Sequence, residues 1–461
     1  PWLSGIRVLI LDNTNNLTTQ PIDDHEFLNL MQISNVNGKY QHLAVGVSGG
    51  VDSLALCLLA HTWGEENGVK ITALTVDHGL RKESAREAAQ VKSWLTKRGI
   101  PHVTLLLDHP FPRHGIQAFA RKWRFQLLGD WCRINLVDVV MLAHTIEDQM
   151  ETICMRILAD SGPEGLSGIR RNTVVGGLRI LRPLLKISKG RLIATCSASN
   201  QDWVVDPSNQ DTRYCRVKIR QLMPYIEKAG LESNKMVRLA SSMEKLRNAF
   251  DNFSASFVKN NGGILKTGIA WINVSSFEKM PNKFKELLLL RLLVIIGGAS
   301  WPSSKKKINR LIDSLKQEKV TRITLGGCVI EKTILGKIWI YREIKRRCLS
   351  VVIMPGEKRR WDNRFEVFQN FDKKLILEPL GEQGWKKIKR KEISGFSDIF
   401  DFSMPFHARI TIPVARSLDD SLIIPHFDEI DQTNCEKPLN VISCDFRPDA
   451  SWARDLQAPE V

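Results

Sequence analysis

The sequence predicts an α/β fold, a doubly wound and mostly parallel sheet, followed by a helical linker domain and a smaller α+β C-terminal domain. Three observations predict it. From residue 43 to about 160, short apolar runs alternate with helix-length amphipathic segments, the pattern of a parallel sheet with helices on both faces. After Gly230 the alternation stops, and residues 231 to about 320 read as helical, with "FKELLLLRLLVIIGG" the most apolar part. From 321 the chain is β-rich, with turns at Gly326-Gly327 and Gly336. The 461 residues have room for two or three domains, and 43% hydrophobic content is enough to build real cores. The expected divisions are 1–42, 43–230, 231–320 and 321–461.

The elements follow in order. Residues 1 to 40 are polar apart from a short helix at "DDHEFLNLMQ". Ala44 to Val47 read as a buried strand, and Leu54, Leu58 and Leu59 then recur at helical spacing. "ITALTVDHG" is the second strand, and the helix after it, from about 83 to 98, stops at Gly99 with Pro101 beyond. "HVTLLL" is the third strand and "IQAFARKWRFQLLGDWC" the third helix. "VDVVMLAH" is the fourth strand and "EDQMETICMRILA" the fourth helix. "DSGPEGLSGIRR" is a glycine-rich loop, "RILRPLLKISKGRLIATCSASN" a strand plus a helix, and "WVVDPSNQDTRYCRVKIRQLMPYI" a turn feeding a basic helix.

Between the first strand and its helix lies "SGGVDS", Ser48 to Ser53. Gly49 and Gly50 let the backbone turn sharply and approach a ligand, while the free N–H groups of the helix start point outward with the positive dipole end. That is an anion site. A P-loop would place Lys directly after its last glycine, where Val51 and Asp52 stand, and G-x-G-x-x-G fails because the glycines fall at 46, 49 and 50. A carboxylate beside phosphate is repulsive unless a metal lies between, so Asp52 suggests Mg2+. Helix capping by Ser48 or Asp52 explains the same residues more simply.

Ligands of such sheets bind at the carboxyl ends of the strands. Three loop clusters lie there: Ser48 to Ser53, Asp77-His78-Gly79, and His144 to Asp148. Each has a structural explanation alone: Asp77 as a turn residue, His144 as a satisfied core histidine, Glu147 and Asp148 as acidic caps of the fourth helix. Their coincidence at one edge favours a single crevice.

The net charge of +16 favours a polyanionic partner, nucleic acid first, with a solubility role or a membrane-surface patch as alternatives. Arg213, Arg216 and Arg220 are spaced to share one helix face, which a solvated face would equally explain. Near the end, "GEKRRWDNRF" and "GWKKIKRKE" mix tryptophan with dense Lys and Arg, including Lys386, Lys387 and Arg390. Stacking on unpaired bases and lysines snorkelling over a tryptophan core both fit. The nine cysteines are irregularly spaced without C-x-x-C, so neither a disulfide framework nor a zinc site is indicated, and a reducing cytosol is expected. No run approaches the ~18 apolar residues of a membrane span, and "PWLSGIRVLI" lacks a basic stretch ahead of its apolar part.

Taken together, "SGGVDS" (48–53), "VDHGLR" (76–81), "QAFARKWRF" (117–125), "AHTIEDQMET" (143–152), "GLSGI" (165–169), "RPLL" (182–185) and "DPSN" (206–209) resemble the PP-loop ATP pyrophosphatases, and within them the tRNA(Ile)-lysidine synthetase family. "SGGVDS" alone resembles only the superfamily; the series is specific. "TLGGC" (324–328) and "IPHF" (424–427) are similar to the family's C-terminal parts, more weakly.

The resemblance implies a PP-loop ATPase-like catalytic domain at 43–230, a helical substrate-binding domain at 231–320 and a basic tRNA-binding domain at 321–461. It implies a cytoplasmic ligase that uses ATP and Mg2+. ATP adenylates the C2 oxygen of cytidine 34 in a tRNA(Ile) with a CAU anticodon, releasing pyrophosphate, and the amine of free L-lysine then displaces AMP. Attack at the α-phosphorus explains the missing P-loop lysine, since the loop holds a leaving pyrophosphate.

The implied ATP-binding residues are Ser48, Gly49, Gly50, Val51, Asp52, Ser53, Asp77 and His78. Asp52, Arg124, Asp148 and Arg216 are the implied catalytic residues, with Asp52 and Asp148 on the metal. Arg124 would steady the adenylate phosphate, and Arg216 would face the same site. Arg213, Arg220, Lys386, Lys387 and Arg390 are assigned to tRNA. No membrane is implied, and a homodimer is left open.

Two departures stand out: Glu147 replaces the first aspartate of the family's "DDQ", and Val217 follows Arg216 where an asparagine is usual. The rivals are another PP-loop tRNA-modifying enzyme or a basic RNA-binding protein with a decayed nucleotide site. The missing C-x-x-C disfavours a thiolase, and the intact Asp52, Arg124, Asp148 and Arg216 disfavour decay.

Overall fold

The computed structural model describes residues 20–34, 40–79, 83–107, 112, 115–175, 177–205, 215–230, 232–298, 304–317, 321–344, 350–390, 403–417, 422–426 and 442–448. Two compact units divide the chain, Pro1–Leu246 and Arg247–Val461. The first contains α1 (Asp24–Ile33), β1 (His42–Gly46), α2 (Val51–Asn67), β2 (Lys70–Asp77), α3 (Ser84–Lys97), β3 (His102–Leu106) and α4 (Ile116–Ile134). It continues with β4 (Val139–Met141), α5 (Ile146–Leu158), α6 (Pro163–Leu166), β5 (Asn172–Val175), β6 (Leu178–Leu181), α7 (Lys189–Ala198) and α8 (Cys215–Lys228). The division falls within α9 (Ser233–Asn261).

The strands of the first unit run in the order β3-β2-β1-β4-β6-β5. All neighbours are parallel except β5, which pairs antiparallel with β6 at the edge. Both faces are covered, because alternate residues of a strand point to opposite layers. Leu43 and Val45 of β1 belong to one buried cluster with Met31 of α1, Leu54 of α2, Leu95 of α3 and Leu192 of α7. Ala44, between them, belongs to another with Leu128 and Cys132 of α4. This is the doubly wound arrangement expected from the alternating pattern.

The strand order reverses between β1 and β4, and in open α/β sheets the crevice at such a switch point takes the ligand. β4 has only three residues, shorter than "VDVVMLAH" implies, because the backbone past Met141 turns toward the start of α5, with the His144 N–H donating to the Leu142 carbonyl at 3.1 Å.

The second unit contains β7 (Gly262–Ile264), β8 (Ala270–Asn273), α10 (Val274–Glu278), α11 (Asn282–Gly297), α12 (Lys305–Leu315), β9 (Thr321–Leu325), β10 (Cys328–Lys332) and β11 (Lys337–Arg342). The five strands form a sheet in the order β7-β8-β11-β10-β9, antiparallel throughout. Beyond lie β12 (Val351–Ile353), β13 (Lys358–Trp361), β14 (Phe365–Gln369), β15 (Leu375–Pro379), α13 (Gly381–Arg390), β16 (Pro413–Arg416), β17 (Leu422–Ile423) and β18 (Ile442–Phe446), in two smaller antiparallel sheets.

Residues 231–320 are therefore not wholly helical. β7 and β8 interrupt them, and β8 pairs with β11, Trp271 opposite Trp339. One buried cluster joins Leu288, Ile308, Ile330, Ile340, Phe365 and Phe446, so helices and strands of this unit share a core. Trp361 is buried within it, and Trp385 is half-buried with the Arg409 guanidinium 5.3 Å over its ring. Of the two explanations for tryptophan among basic residues, these positions fit the cation over a packed ring. Among the described residues no helix is long and apolar enough to cross a membrane.

Candidate active site

The loop 48–53 links β1 to α2. Gly50 precedes the helix in extended conformation and no side chain caps it, so the first-turn N–H groups remain available and neither Ser48 nor Asp52 serves as the cap. Ser53 instead braces the loop: its Oγ accepts from the Ser48 N–H at 3.1 Å and donates to the Gly50 carbonyl at 2.9 Å. Gly49 has φ +84°, and a Cβ there would meet Val91 Cγ2 at 2.9 Å. Its carbonyl accepts from the Val204 N–H at 2.9 Å, tying the loop to the segment after α7.

Asp52 lies in the first turn of α2 with its side chain 28% exposed. Oδ1 is buried without a hydrogen-bond partner, and Oδ2 is 4.0 Å from Lys189 Nζ. Burial pushes its carboxyl up to about 6, Lys189 opposes the rise, and the charges of Asp148 and Glu147 add to it. The loop after β1 and the start of α5 therefore share one electrostatic site.

At α5, Thr145 and Asp148 form a capping box: Oδ2 of Asp148 accepts from the Thr145 N–H at 2.9 Å, and Thr145 Oγ1 from the Asp148 N–H at 3.4 Å. Oδ1 of Asp148 accepts from Arg216 Nη2 at 2.5 Å. One turn on, Glu151 is 1% exposed and accepts from Arg216 Nε and, at 2.6 Å, from Arg220 Nε. Two acids of α5 and two arginines of α8 thus form one network. Glu147 reaches the other way, with Oε1 accepting from the Lys189 N–H at 2.9 Å.

Asp77 ends β2, and its Oδ1 accepts from the Gly79 N–H at 2.9 Å, so it is a turn residue here. Beside it, His78 Nε2 lies 3.4 Å from both Nε and Nη2 of Arg124. Burial, then Arg124, lowers the His78 pKa. Deeper in the crevice His144 is held down to about 3 by burial and by the charges of Arg182, Arg216, Arg121 and Arg124. Four guanidinium groups act on one neutral imidazole, and one of them, Arg216, also pairs with Asp148, so this crevice holds both cations and acids.

The PP-loop domain family matches residues 23–226. A tRNA(Ile)-lysidine synthase of Ruegeria pomeroyi is 34% identical over 349 residues, covering 75% of this chain and 81% of its own. The same-named proteins of Rickettsia bellii and Methylobacterium nodulans are 29% identical over 90% of this chain and 33% over 68%, covering 96% and 93% of their own lengths. The chain belongs to the tRNA(Ile)-lysidine synthase family.

Both departures from the lysidine synthase pattern have a place in the structure. Glu147 spans to the first residue of α7, a use for its extra methylene over aspartate. Val217 is buried on the packed face of α8, and the polar contacts of that turn come from its neighbours Arg216 and Arg220.

Ser48 to Ser53, Asp77, His78, Arg124, Asp148, Arg216 and Arg220 all lie in the first unit. Lys386 and Lys387 are exposed on α13 of the second unit. Arg213, the "DPSN" turn and the Arg390 side chain fall outside the described residues.

The sequence reading missed Arg121, Glu151, Arg182 and Lys189. Arg121 lies inside the "QAFARKWRF" motif one turn before Arg124, and Arg182 opens "RPLL". Arg182 is buried, donating from Nη1 to the Arg170 carbonyl at 2.9 Å and to Thr173 Oγ1 at 2.8 Å. Gln149 was quoted only within its motif. It is buried and pins the glycine-rich loop, accepting from the Ile169 N–H at 2.6 Å and donating to the Ile169 carbonyl at 3.2 Å.

Proposed function

We propose that the first unit ligates free L-lysine to C2 of cytidine 34 in the CAU anticodon of tRNA(Ile), in two ATP-dependent steps. The C2 oxygen attacks the α-phosphorus of ATP and pyrophosphate leaves. The lysine ammonium first gives a proton to Asp148, the free amine then attacks C2, a C–N bond forms, the C2–O bond breaks and AMP departs with the oxygen. The observation that carries this reading is the convergence at the β1/β4 switch point of an uncapped glycine loop, Asp52 coupled to Asp148 and Glu147, and the arginines Arg121, Arg124, Arg182 and Arg216 that act on His144.

In this reading the loop N–H groups of 48–53 receive the β- and γ-phosphates. Arg124 and Arg216 stabilise charge developing on the α-phosphate and the adenylate. The negative charge of Asp148 attracts the lysine ammonium. Among the described residues no three acids, histidines or cysteines gather as a metal cage, but Mg2+ is usually held by one or two carboxylates plus phosphate oxygens. The unpartnered Oδ1 of Asp52 fits that use, and Asp148 is the second carboxylate assigned to it. Bound there, Mg2+ would neutralise charge on the leaving pyrophosphate.

The second unit, with exposed Lys386 and Lys387, is assigned to the tRNA body, and the cytoplasm to the location. The test is incorporation of labelled lysine into an unmodified tRNA(Ile) transcript with CAU, using ATP and Mg2+, against a methionine tRNA transcript with the same anticodon. Incorporation confined to the isoleucine transcript, with AMP released, supports the reading. Tight tRNA binding without incorporation overturns it.

A further inference from the structure

A P-loop grips its β- and γ-phosphates with a lysine from the loop itself, and this loop has none. The fold brings one from elsewhere. Lys189, the first residue of α7, places Nζ 4.0 Å from Oδ2 of Asp52, at the start of α2. α7 packs against α2, and Cys196 in the last turn of α7 donates to the Val51 carbonyl at 3.5 Å, which fixes α7 against the start of α2. Glu147 anchors the Lys189 N–H at 2.9 Å, which joins the start of α7 to the start of α5.

Three features argue that this ammonium serves a ligand. At 4.0 Å it is at the outer limit of an ion pair, and with 48% of the side chain exposed it is not consumed by Asp52. A cation in the first turn opposes the helix dipole, an arrangement that is offset when an anion binds at the same end. No side chain caps α2, so its start adds to the positive potential there, whereas the first N–H of α7 is already met by the Glu147 carboxylate.

Resting on the ATP-dependent reading above, we propose that Lys189 is a further ATP-binding residue, which grips the β- and γ-phosphates and stays with them as the leaving pyrophosphate. On phosphate binding its contact with Asp52 is exchanged for phosphate oxygens. The carboxylate is then released toward Mg2+.

The test is calorimetric titration of ATP, inorganic pyrophosphate and AMP into the full-length wild-type protein and into Lys189→Gln and Lys189→Arg. A charge-assisted contact predicts that Lys189→Gln weakens pyrophosphate and ATP by about 10-fold or more, while AMP changes less than about 2-fold and Lys189→Arg recovers most of the loss. Equal weakening of AMP and ATP would overturn the proposal, since a general disturbance of the site would then be its cause. Unchanged ATP binding with only a displaced pH profile would also overturn it, reducing Lys189 to a neighbour of Asp52. Wild-type protein that fails to bind ATP would overturn the nucleotide reading itself, an outcome distinct from either.

Discussion

Replacing the buried Glu151 with glutamine keeps its shape and removes its charge. Glu151 accepts one charge-assisted bond from Arg216 and one from Arg220, whose side chains are 40% and 45% exposed. Such bonds are worth about 1.5–3 kcal/mol each when sheltered, and partial exposure reduces each to about 1 kcal/mol. Glutamine also turns an amide donor toward a guanidinium donor. The expected cost is about 2 kcal/mol, or a fall of about 4–8 °C in the unfolding temperature of the first unit.

Arg216 would keep Asp148 but lose its second tether, so adenylation should slow by about 10- to 100-fold, the scale at which misplacing a catalytic group acts. Scanning calorimetry with ATP as a marker of the responding unit, and single-turnover formation of the tRNA adenylate, measure the two effects. A Glu151→Gln variant with wild-type melting and turnover would refute the claim that this network holds Arg216 in place.

Asp52→Ala should abolish adenylation, measured as pyrophosphate release with tRNA present; wild-type rates would remove Asp52 from the mechanism. Because its carboxyl is raised to about 6, kcat/KM for ATP should fall on the acid side of pH 6, and Asp52→Asn should lack that limb. For stability the sign is opposite: the folded state binds this proton more tightly, so the contribution is full below the ordinary carboxylate value and is lost as pH rises through about 6. Gly49→Ala combines positive φ with a 2.9 Å approach to Val91 and should cost about 1–3 kcal/mol, read as lost ATP affinity and earlier unfolding of the first unit. In the second unit Asp362 is buried between Arg342 and Arg364, accepting from their Nε atoms at 2.9 and 2.8 Å. Asp362→Asn should cost about 3 kcal/mol, seen as faster hydrogen exchange in β10, β11, β13 and β14 with ATP binding unchanged.

The parallel sheet and its loops were legible because a βα unit writes its own signature: apolar runs of strand length, glycine turns and helical spacing, all local. The crevice followed from topology, since residues at the carboxyl ends of adjacent strands must meet there. Glu151 was not legible. In "EDQMETICMRI" a glutamate reads as a solvent-facing charge, and it is buried only because α8, 65 residues later, delivers two arginines to it. Lys189 left a faint signal, a lysine at a helix start against the dipole, but its nearness to Asp52 depends on α7 packing along α2. β8 was missed because its local neighbour β7 is only three residues with two glycines, its other partner β11 lies far along the chain, and four residues of "AWIN" carry no periodicity strong enough to outweigh helical surroundings.

The arginines of the crevice are not equivalent, and the difference bears on which of them can hold an anion. Arg216 and Arg220 face Asp148 and Glu151, two positive charges against two negative, so that network is near neutral by itself. Among the described residues Arg121, Arg124 and Arg182 have no carboxylate partner; Arg124 meets the imidazole of His78, and Arg182 meets a carbonyl and a hydroxyl. Burial lowers the Arg182 pKa to about 10; burial and then Arg216 lower that of Arg121, and burial and then Arg121 lower that of Arg124. Arg121 and Arg124 are exposed, so solvent screens them, but the buried Arg182 beside a neutral His144 carries a desolvation cost that an incoming anion would lower. The phosphate of an adenylate is such an anion. These three charges, with no carboxylate to satisfy them, then favour forming and retaining it, while the balanced Arg216 network can exchange partners without leaving a bare charge behind.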